Sequence, residues 1–325
     1  MTRLTLEHYQ VWVYVTALAI GATLGLSAPG LGPVLEALIW PALAILLYAA
    51  FSQVPLVHLR QALGHGRFLS AMLTANFLLV PALVWLLTRF LPPDPAILLG
   101  VFMVLLVPCT DWFIAFTHLG RGETRLALAA TPVMLLAQIV LLPLYLGLFM
   151  GAQFMDLVST GPFLQAFLGL IVLPPGLALV TEQWAKRHVS GVRWLAFLGW
   201  LPVPFLALVL LLIAASHISA LGDWLQRPER GASVVGAFVA YLIAAAYLGR
   251  YCAWLFGLST GAGRALVFSV GTRNSFVVLP FALALPPGWE AAVVVIVVQS
   301  LVELIGMMFY LWWVPTRLLS GDGET

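Results

Sequence analysis

Ten apolar runs, each about the length of a membrane span, follow one another along the chain. They lie at 9–27, 34–54, 69–90, 96–118, 124–150, 163–184, 194–215, 232–255, 261–285 and 289–313. About 20 helical residues cross the hydrocarbon core of a bilayer. Polar residues gather at the junctions, as in Pro29-Gly30, Pro92-Pro93-Asp94, Gly120-Arg121-Gly122-Glu123 and Pro286-Pro287-Gly288. The pattern predicts an all-α membrane protein with ten transmembrane helices and no soluble domain.

Composition supports this. Of 325 residues, 62% are hydrophobic and 9% charged, against roughly a quarter charged in soluble domains. Lipid must therefore solvate much of the surface. The net charge of +2 gives no sign of a nucleic-acid partner. The two cysteines, Cys109 and Cys252, lie in apolar runs, which argues against a disulfide framework. No small-residue cleavage site follows the first run, so it reads as a retained helix.

Charge then sets an orientation. If the N-terminus, the even-to-odd loops and the C-terminus share a side, that side holds eleven cations: Arg3, Arg60, Arg67, Arg121, Arg125, Lys186, Arg187, Arg193, Arg250, Arg264 and Arg317. The other side holds Arg89, Arg227 and Arg230. By the positive-inside rule, both termini are expected in the cytoplasm and the chain in the cell membrane.

Five spans per half is an odd number, so a duplicated half would be inverted relative to its twin. The expected repeats are 1–150 and 163–315. Span 4 is interrupted at Pro108-Cys109-Thr110-Asp111, and span 9 at Gly271-Thr272-Arg273-Asn274-Ser275. Gln138 follows Asp111 by 27 residues and Gln299 follows Arg273 by 26, an echo between spans 5 and 10. Proline removes an amide donor, and glycine frees the backbone. Backbone opened in mid-membrane must be buried in protein or line a wet cavity. Paired breaks in two halves therefore point to a midplane binding site.

Polar residues at that depth are the candidates for chemistry. Asp111, Arg273 and Glu303 are ionisable groups inside apolar runs, where charge costs about 3 kcal/mol on insertion scales. Asp111 and Arg273 occupy matched points of the two breaks. They form either a structural ion pair or a solute and proton contact. Glu303 has no evident partner in its own span and reads as a proton carrier or a permanently protonated acid. Cys109 is either a soft ligand or a small buried hydrophobe. Thr110, Asn274 and Ser275 line the breaks. Asn76, Gln138 and Gln299 offer neutral donors and acceptors, or helix-to-helix hydrogen bonds worth about 0.6 kcal/mol each. His118 falls at a span end and reads as solvated. No phosphate-binding loop, zinc motif or cofactor signature is present, so neither an enzyme nor an ATP-driven pump is expected.

The stretch Val107-Pro108-Cys109-Thr110-Asp111, with Phe116-Thr117-His118-Leu119-Gly120-Arg121-Gly122-Glu123, resembles span 4 of the bile acid:sodium symporter superfamily, closest to its arsenite-permease branch. Arg273-Asn274-Ser275-Phe276 and Gln299-Ser300-Leu301-Val302-Glu303 resemble its spans 9 and 10. The resemblance implies a panel of spans 1, 2, 6 and 7 and a core of spans 3–5 and 8–10, with the broken helices crossing in the core. It implies alternating-access efflux of arsenite or a related trivalent metalloid, with H+ as coupling ion, Cys109 as metalloid ligand and Glu303 as proton carrier. Three features depart from that branch: Asp111, the run Ala130-Thr131-Pro132-Val133, and Arg273, which lies about where sodium-coupled relatives present sodium ligands. The alternative is a sodium- or proton-coupled carrier of organic anions, with Arg273 holding a carboxylate. A third reading is a receptor that binds without translocating. The expected partners are a small solute and lipid; a homo-oligomer stays open.

Overall fold

Away from water a chain must satisfy its own amides, and a helix does so within one segment. The computed structural model describes residues 9–53, 64–110, 112–151, 154, 169, 173–216 and 228–321. Among these no β-sheet forms; the elements are helices. In chain order they are α1 (Gln10–Ser27) and α2 (Gly32–Phe51), then α3 (Gly66–Thr88). Next come α4 (Pro95–Leu105), α5 (Trp112–Leu119) and α6 (Thr124–Met150). The second half holds α7 (Leu173–Arg187), α8 (Val189–Leu198), α9 (Pro202–Ser216) and α10 (Pro228–Leu255). It ends with α11 (Thr260–Gly271), α12 (Ser275–Leu283) and α13 (Glu290–Trp313).

Among the described residues, five helices are long and apolar enough to cross a membrane: α2 with its leading turn, α3, α6, α10, and α13 with its continuation to Leu318. The pair α8 and α9 makes a sixth if taken as one span, bent by 41°. That bend corrects the uninterrupted run expected over 194–215. α8 ends at Leu198 with Gly199 as its C-cap, and Pro202 opens α9, a first-turn position where its missing amide costs no intrahelical bond. The start of the expected sixth span lies mostly outside the described residues, and α7 begins at Leu173.

The helices pack in two groups. In one, α9 lies along α1 and α2, while α7 packs on α2 and α8. In the other, α10 packs on α11 and α13, α4 on α13, and α6 on α5. The first group closes through small residues. An added Cβ at Gly21 would overlap the Leu211 carbonyl oxygen, and one at Gly25 the Ala215 carbonyl oxygen. Spaced four apart, these glycines let the backbones of α1 and α9 touch, the small-xxx-small device of membrane helix pairs. Tyr48 on α2 adds polar ties, meeting the Thr181 hydroxyl at 2.7 Å and accepting the Trp194 indole N–H at 3.0 Å.

In the second group, α4 is buried along nearly its whole length against α13, with Gly100 set on the Ala292 backbone. In α3, a π-helical turn at Ala75–Leu79 rotates the following residues relative to a regular helix. The Tyr145 hydroxyl donates to the Phe77 carbonyl within that turn. Such turns are frequent at functional sites, and this one carries Asn76.

Candidate functional site at two crossed breaks

Pro108 has no amide to donate, and α4 ends three residues before it, at Leu105. The helix resumes at Trp112. On the other side α11 ends at Gly271, where a Cβ would come within 2.7 Å of the Tyr310 ring and 2.9 Å of the Met307 methyl. α12 restarts at Ser275, capped by Asn274, whose side-chain oxygen accepts from the Val277 amide at 3.3 Å. Each break leaves unpaired backbone groups, and the two breaks satisfy one another. The Cys109 amide donates to the Thr272 carbonyl at 3.2 Å, and the Asn274 amide to the Val107 carbonyl at 2.8 Å. Pro108 and Arg273 thus face each other as an isolated antiparallel bridge, buried inside a helical protein.

Arg273 is 2% exposed. Its guanidinium donates to the Asn76 side-chain oxygen at 2.7 Å, the Val270 carbonyl at 2.7 Å, the Ser269 carbonyl at 2.8 Å and the Leu105 carbonyl at 3.3 Å. The Tyr241 ring lies 5.6 Å from the guanidinium carbon, and the Tyr241 hydroxyl donates to the Val270 carbonyl at 2.8 Å. Asn76 is held in turn, its amide nitrogen donating to the Met72 carbonyl at 3.1 Å and the Ser269 hydroxyl at 3.2 Å. A buried charge is tolerated only when hydrogen-bonded in this way.

A second chain of bonds runs along α13. The Ser275 hydroxyl donates to the Gln299 side-chain oxygen at 2.8 Å. The Gln299 amide donates to Glu303 Oε2 at 2.6 Å. The same oxygen accepts the Arg273 backbone amide at 2.8 Å. This corrects the expectation that Glu303 lacks a partner in its own span: Gln299 is four residues earlier, and residues at that spacing share a helix face. The acid is also tied directly to the break in the other helix.

Of the residues singled out from sequence, the structure brings Asn76, Thr110, Arg273, Asn274, Ser275, Gln299 and Glu303 into one buried polar region. The Asn274 amide reaches the Thr110 hydroxyl at 3.4 Å, across the crossing. Cys109 sits on the unwound segment with its side chain buried. Gln138 is buried on α6, and its side-chain oxygen and nitrogen have no hydrogen-bond partner among the described residues. Asp111 lies outside the described residues. Matching the two breaks by sequence sets Asp111 against Arg273, whereas the antiparallel crossing sets Pro108 there. His118 is exposed.

Sequence reading missed Tyr241, Ser269 and the Leu105 carbonyl. Tyr241 carried a faint signal, being a hydroxyl in the middle of an apolar run. The other two carried none, since one is a small residue and the other is backbone.

Aromatic rings join the crossing to the first packing group. Trp112 stacks on Tyr14 of α1 at 5.9 Å and meets Phe276 of α12 edge-on at 5.1 Å. A surface groove of about 420 Å³ between α1 and α9 and a cavity of about 510 Å³ beside Arg89 and Trp85 include no crossing residue. Among the described residues no three of His, Cys, Asp and Glu gather as a metal site.

The geometry suits a membrane carrier: opened backbone in mid-span, donors and acceptors in register, and one acid in contact with the break. Comparison with known proteins agrees. The uncharacterized protein YbaS of Bacillus subtilis (strain 168) is 23% identical over 274 residues, which is 82% of this chain and 86% of that protein. Residues 40–224 match the sodium bile acid symporter family. Together with its apolar helices, that match over more than half its length shows that this chain belongs to the sodium bile acid symporter family and is a multi-pass membrane transporter of that type.

Proposed function

We propose that the protein is a proton-coupled secondary transporter that exports arsenite or a related trivalent metalloid by alternating access. Ten spans in two inverted five-helix units, 1–150 and 163–315, would form a panel (α1, α2 and α7–α9) and a core (α3–α6 and α10–α13). Both termini would be cytoplasmic, in the cell membrane. The solute would bind between the breaks, touching Cys109, Thr110, Asn274 and Ser275, with Gln138 supplying a donor and an acceptor. Glu303 would carry the proton. Asp111, beside Cys109 and Thr110 in sequence, is a further candidate for solute or proton contact.

The observation that carries this reading is the bond from the Arg273 backbone amide to Glu303. A proton arriving at the carboxylate weakens its hold on the unwound segment. Occupancy by a proton and the shape of the crossing are thereby coupled. For the solute, the support is Cys109 on the facing unwound segment, whose amide bonds the Thr272 carbonyl, beside neutral hydroxyl and amide groups. The Arg273 guanidinium is already engaged by four oxygens, which disfavours it as the holder of a carboxylate.

The test is arsenite accumulation in everted vesicles under an imposed proton gradient, with wild type and Cys109→Ser side by side. Gradient-dependent uptake that vanishes in the variant is expected. Its absence in active, well-oriented vesicles overturns the metalloid assignment.

The second reading is a carrier of organic anions, favoured by the name of the matched family and by the N-terminus of α12, whose amides open onto the crossing. It predicts uptake of bile-acid-type carboxylates that tolerates Cys109→Ser.

A further inference from the structure

Away from the crossing, two membrane-length helices end and a third begins around a cavity. α3 supplies Trp85 and Arg89 as it ends, α6 supplies Phe149 and Met150 as it ends, and α4 supplies Leu98 and Phe102 from its first turns. The space is about 510 Å³, within the roughly 300–1,000 Å³ of ligand pockets. Apart from Thr88 and Arg89 its lining is apolar. Phe149 stacks on Phe102 at 5.1 Å and on Tyr145 at 6.1 Å, which makes one wall a stiff aromatic surface. The rim is open: Trp85 is exposed, as is Phe90 just past Arg89. Large exposed rings at the end of a membrane-length helix belong at the boundary between hydrocarbon and headgroups.

The charge in this lining is Arg89. Trp85 stands four residues earlier on the same helix face, and the guanidinium carbon lies over its ring, 4.4 Å from the centre. No carboxylate among the described residues pairs with Arg89. The acid nearest in sequence, Asp94, is engaged elsewhere. One of its oxygens accepts the Ala96 and Ile97 amides at the start of α4, and the other lies 3.4 Å from the Arg230 guanidinium. Arg89 is therefore an unneutralised cation, steadied by an aromatic face, at the mouth of an apolar cavity. A guanidinium fork matches the oxygens of a phosphate, and basic positions between membrane helices take phospholipid headgroups.

We propose that this cavity binds a membrane phospholipid, with its phosphate on Arg89 and part of one acyl chain against Leu98, Phe102 and Phe149. A lipid seated there touches α3, α4 and α6 together. Those helices carry Asn76, lead into the break at Pro108, and carry Gln138. The site is separate from the crossing, and it holds whether the carried molecule is a metalloid or an organic anion.

The experiment counts lipids retained by the purified, delipidated full chain in detergent, by native mass spectrometry. The probes are phosphatidylglycerol, diacylglycerol with the same chains, palmitate and inorganic phosphate. Wild type is expected to retain one phosphatidylglycerol saturably, and diacylglycerol about tenfold more weakly, the loss of a charge-assisted hydrogen bond. Arg89→Gln should bring phosphatidylglycerol down to the level of diacylglycerol. Leu98→Phe, which fills the cavity, should weaken both lipids. Arg187→Gln, at an exposed cation elsewhere, should change neither. Arg89 is itself exposed, so Arg89→Gln decides the question even if Leu98→Phe does not fold. The proposal is overturned if Arg89→Gln retains phosphatidylglycerol as wild type does, if diacylglycerol is held equally well, or if Arg187→Gln lowers retention as much. Displacement of the lipid by equimolar palmitate or phosphate overturns it too, since the occupant is then a free anion. Because the readout is lipid retention, a failure of the transport assignment leaves the result intact.

Discussion

Glu303 holds the backbone amide of Arg273 at 2.8 Å, while the guanidinium of the same residue reaches away to Asn76 at 2.7 Å. One residue thus links the acid of α13 to the π-turn of α3 through two different parts of itself. The link passes through the break in span 9, so the acid and the unwound backbone cannot move independently.

One oxygen of Glu303 accepts from both Arg273 and Gln299, so a glutamine keeps both bonds. Glu303→Gln is expected to fold with stability within about 1 kcal/mol of wild type, a neutral acceptor replacing a charged one. It should lose gradient-driven accumulation yet retain exchange of labelled for unlabelled solute. Glu303→Ala leaves two buried amides unpaired and should cost about 2–3 kcal/mol. Transport assays with unfolding curves separate the two effects. Full proton-driven transport by Glu303→Gln would remove Glu303 from the coupling step.

Asn274 caps α12 and reaches Thr110 across the crossing. Asn274→Ala is expected to lower stability by about 1 kcal/mol through the lost cap, and to reduce transport further than that loss explains. Asn274→Asp keeps the cap acceptor and should recover stability but not transport, because its carboxylate cannot donate to Thr110. Calorimetry and uptake rates test the split.

Gly25→Ala places a methyl group on the Ala215 carbonyl and should separate α1 from α9, at about 1–3 kcal/mol. Gly236→Ala is the control. It lies in α10 with open space at its Cβ position, and should be neutral or stabilising by up to about 1 kcal/mol. Equal effects from the two substitutions would show that close approach of α1 and α9 is unimportant.

Arg264, also 2% exposed, donates to the carbonyls of Leu319 and Gly321 at 3.0 Å and of Arg121 at 3.0 Å. It pins the end of the chain and the loop after α5 to α11. Arg264→Met should free those carbonyls, at about 2–3 kcal/mol in total, and speed tryptic cleavage after Arg317. Unchanged cleavage would place the hold on this segment elsewhere, for instance in Leu318, which is buried.

Much of this architecture is legible in one dimension. Long apolar runs divided by charged junctions specify membrane-length helices, because lipid accepts little else. Both breaks were visible, since proline and glycine beside polar residues in mid-run have few other uses. The polar members of the site were visible for the same reason: an amide or acid deep in an apolar run must be satisfied by something. Which proline breaks its helix was not legible from the ring alone. Pro41, Pro132, Pro143 and Pro280 lie inside continuous helices, while Pro108 lies in a break. The difference is the facing unwound segment at Thr272–Asn274, which pairs with the Val107 carbonyl and the Cys109 amide on either side of Pro108.

The sequence by itself determined the helical character of the chain, its membrane setting, the two interruptions and most of the residues that meet there. Those properties depend on local hydrophobicity and on what each residue does to its own backbone. Only the tertiary structure decided that Pro108 faces Arg273, that the guanidinium lies among carbonyl oxygens, and that Glu303 holds an amide in the opposite break. Arg273 and Asn76 are separated by 197 residues, and three of the oxygens around the guanidinium are backbone carbonyls. Every residue has a carbonyl, so no residue type announces that one has been left free by a helix end and turned toward a cation. That arises only where two helices stop at the same place.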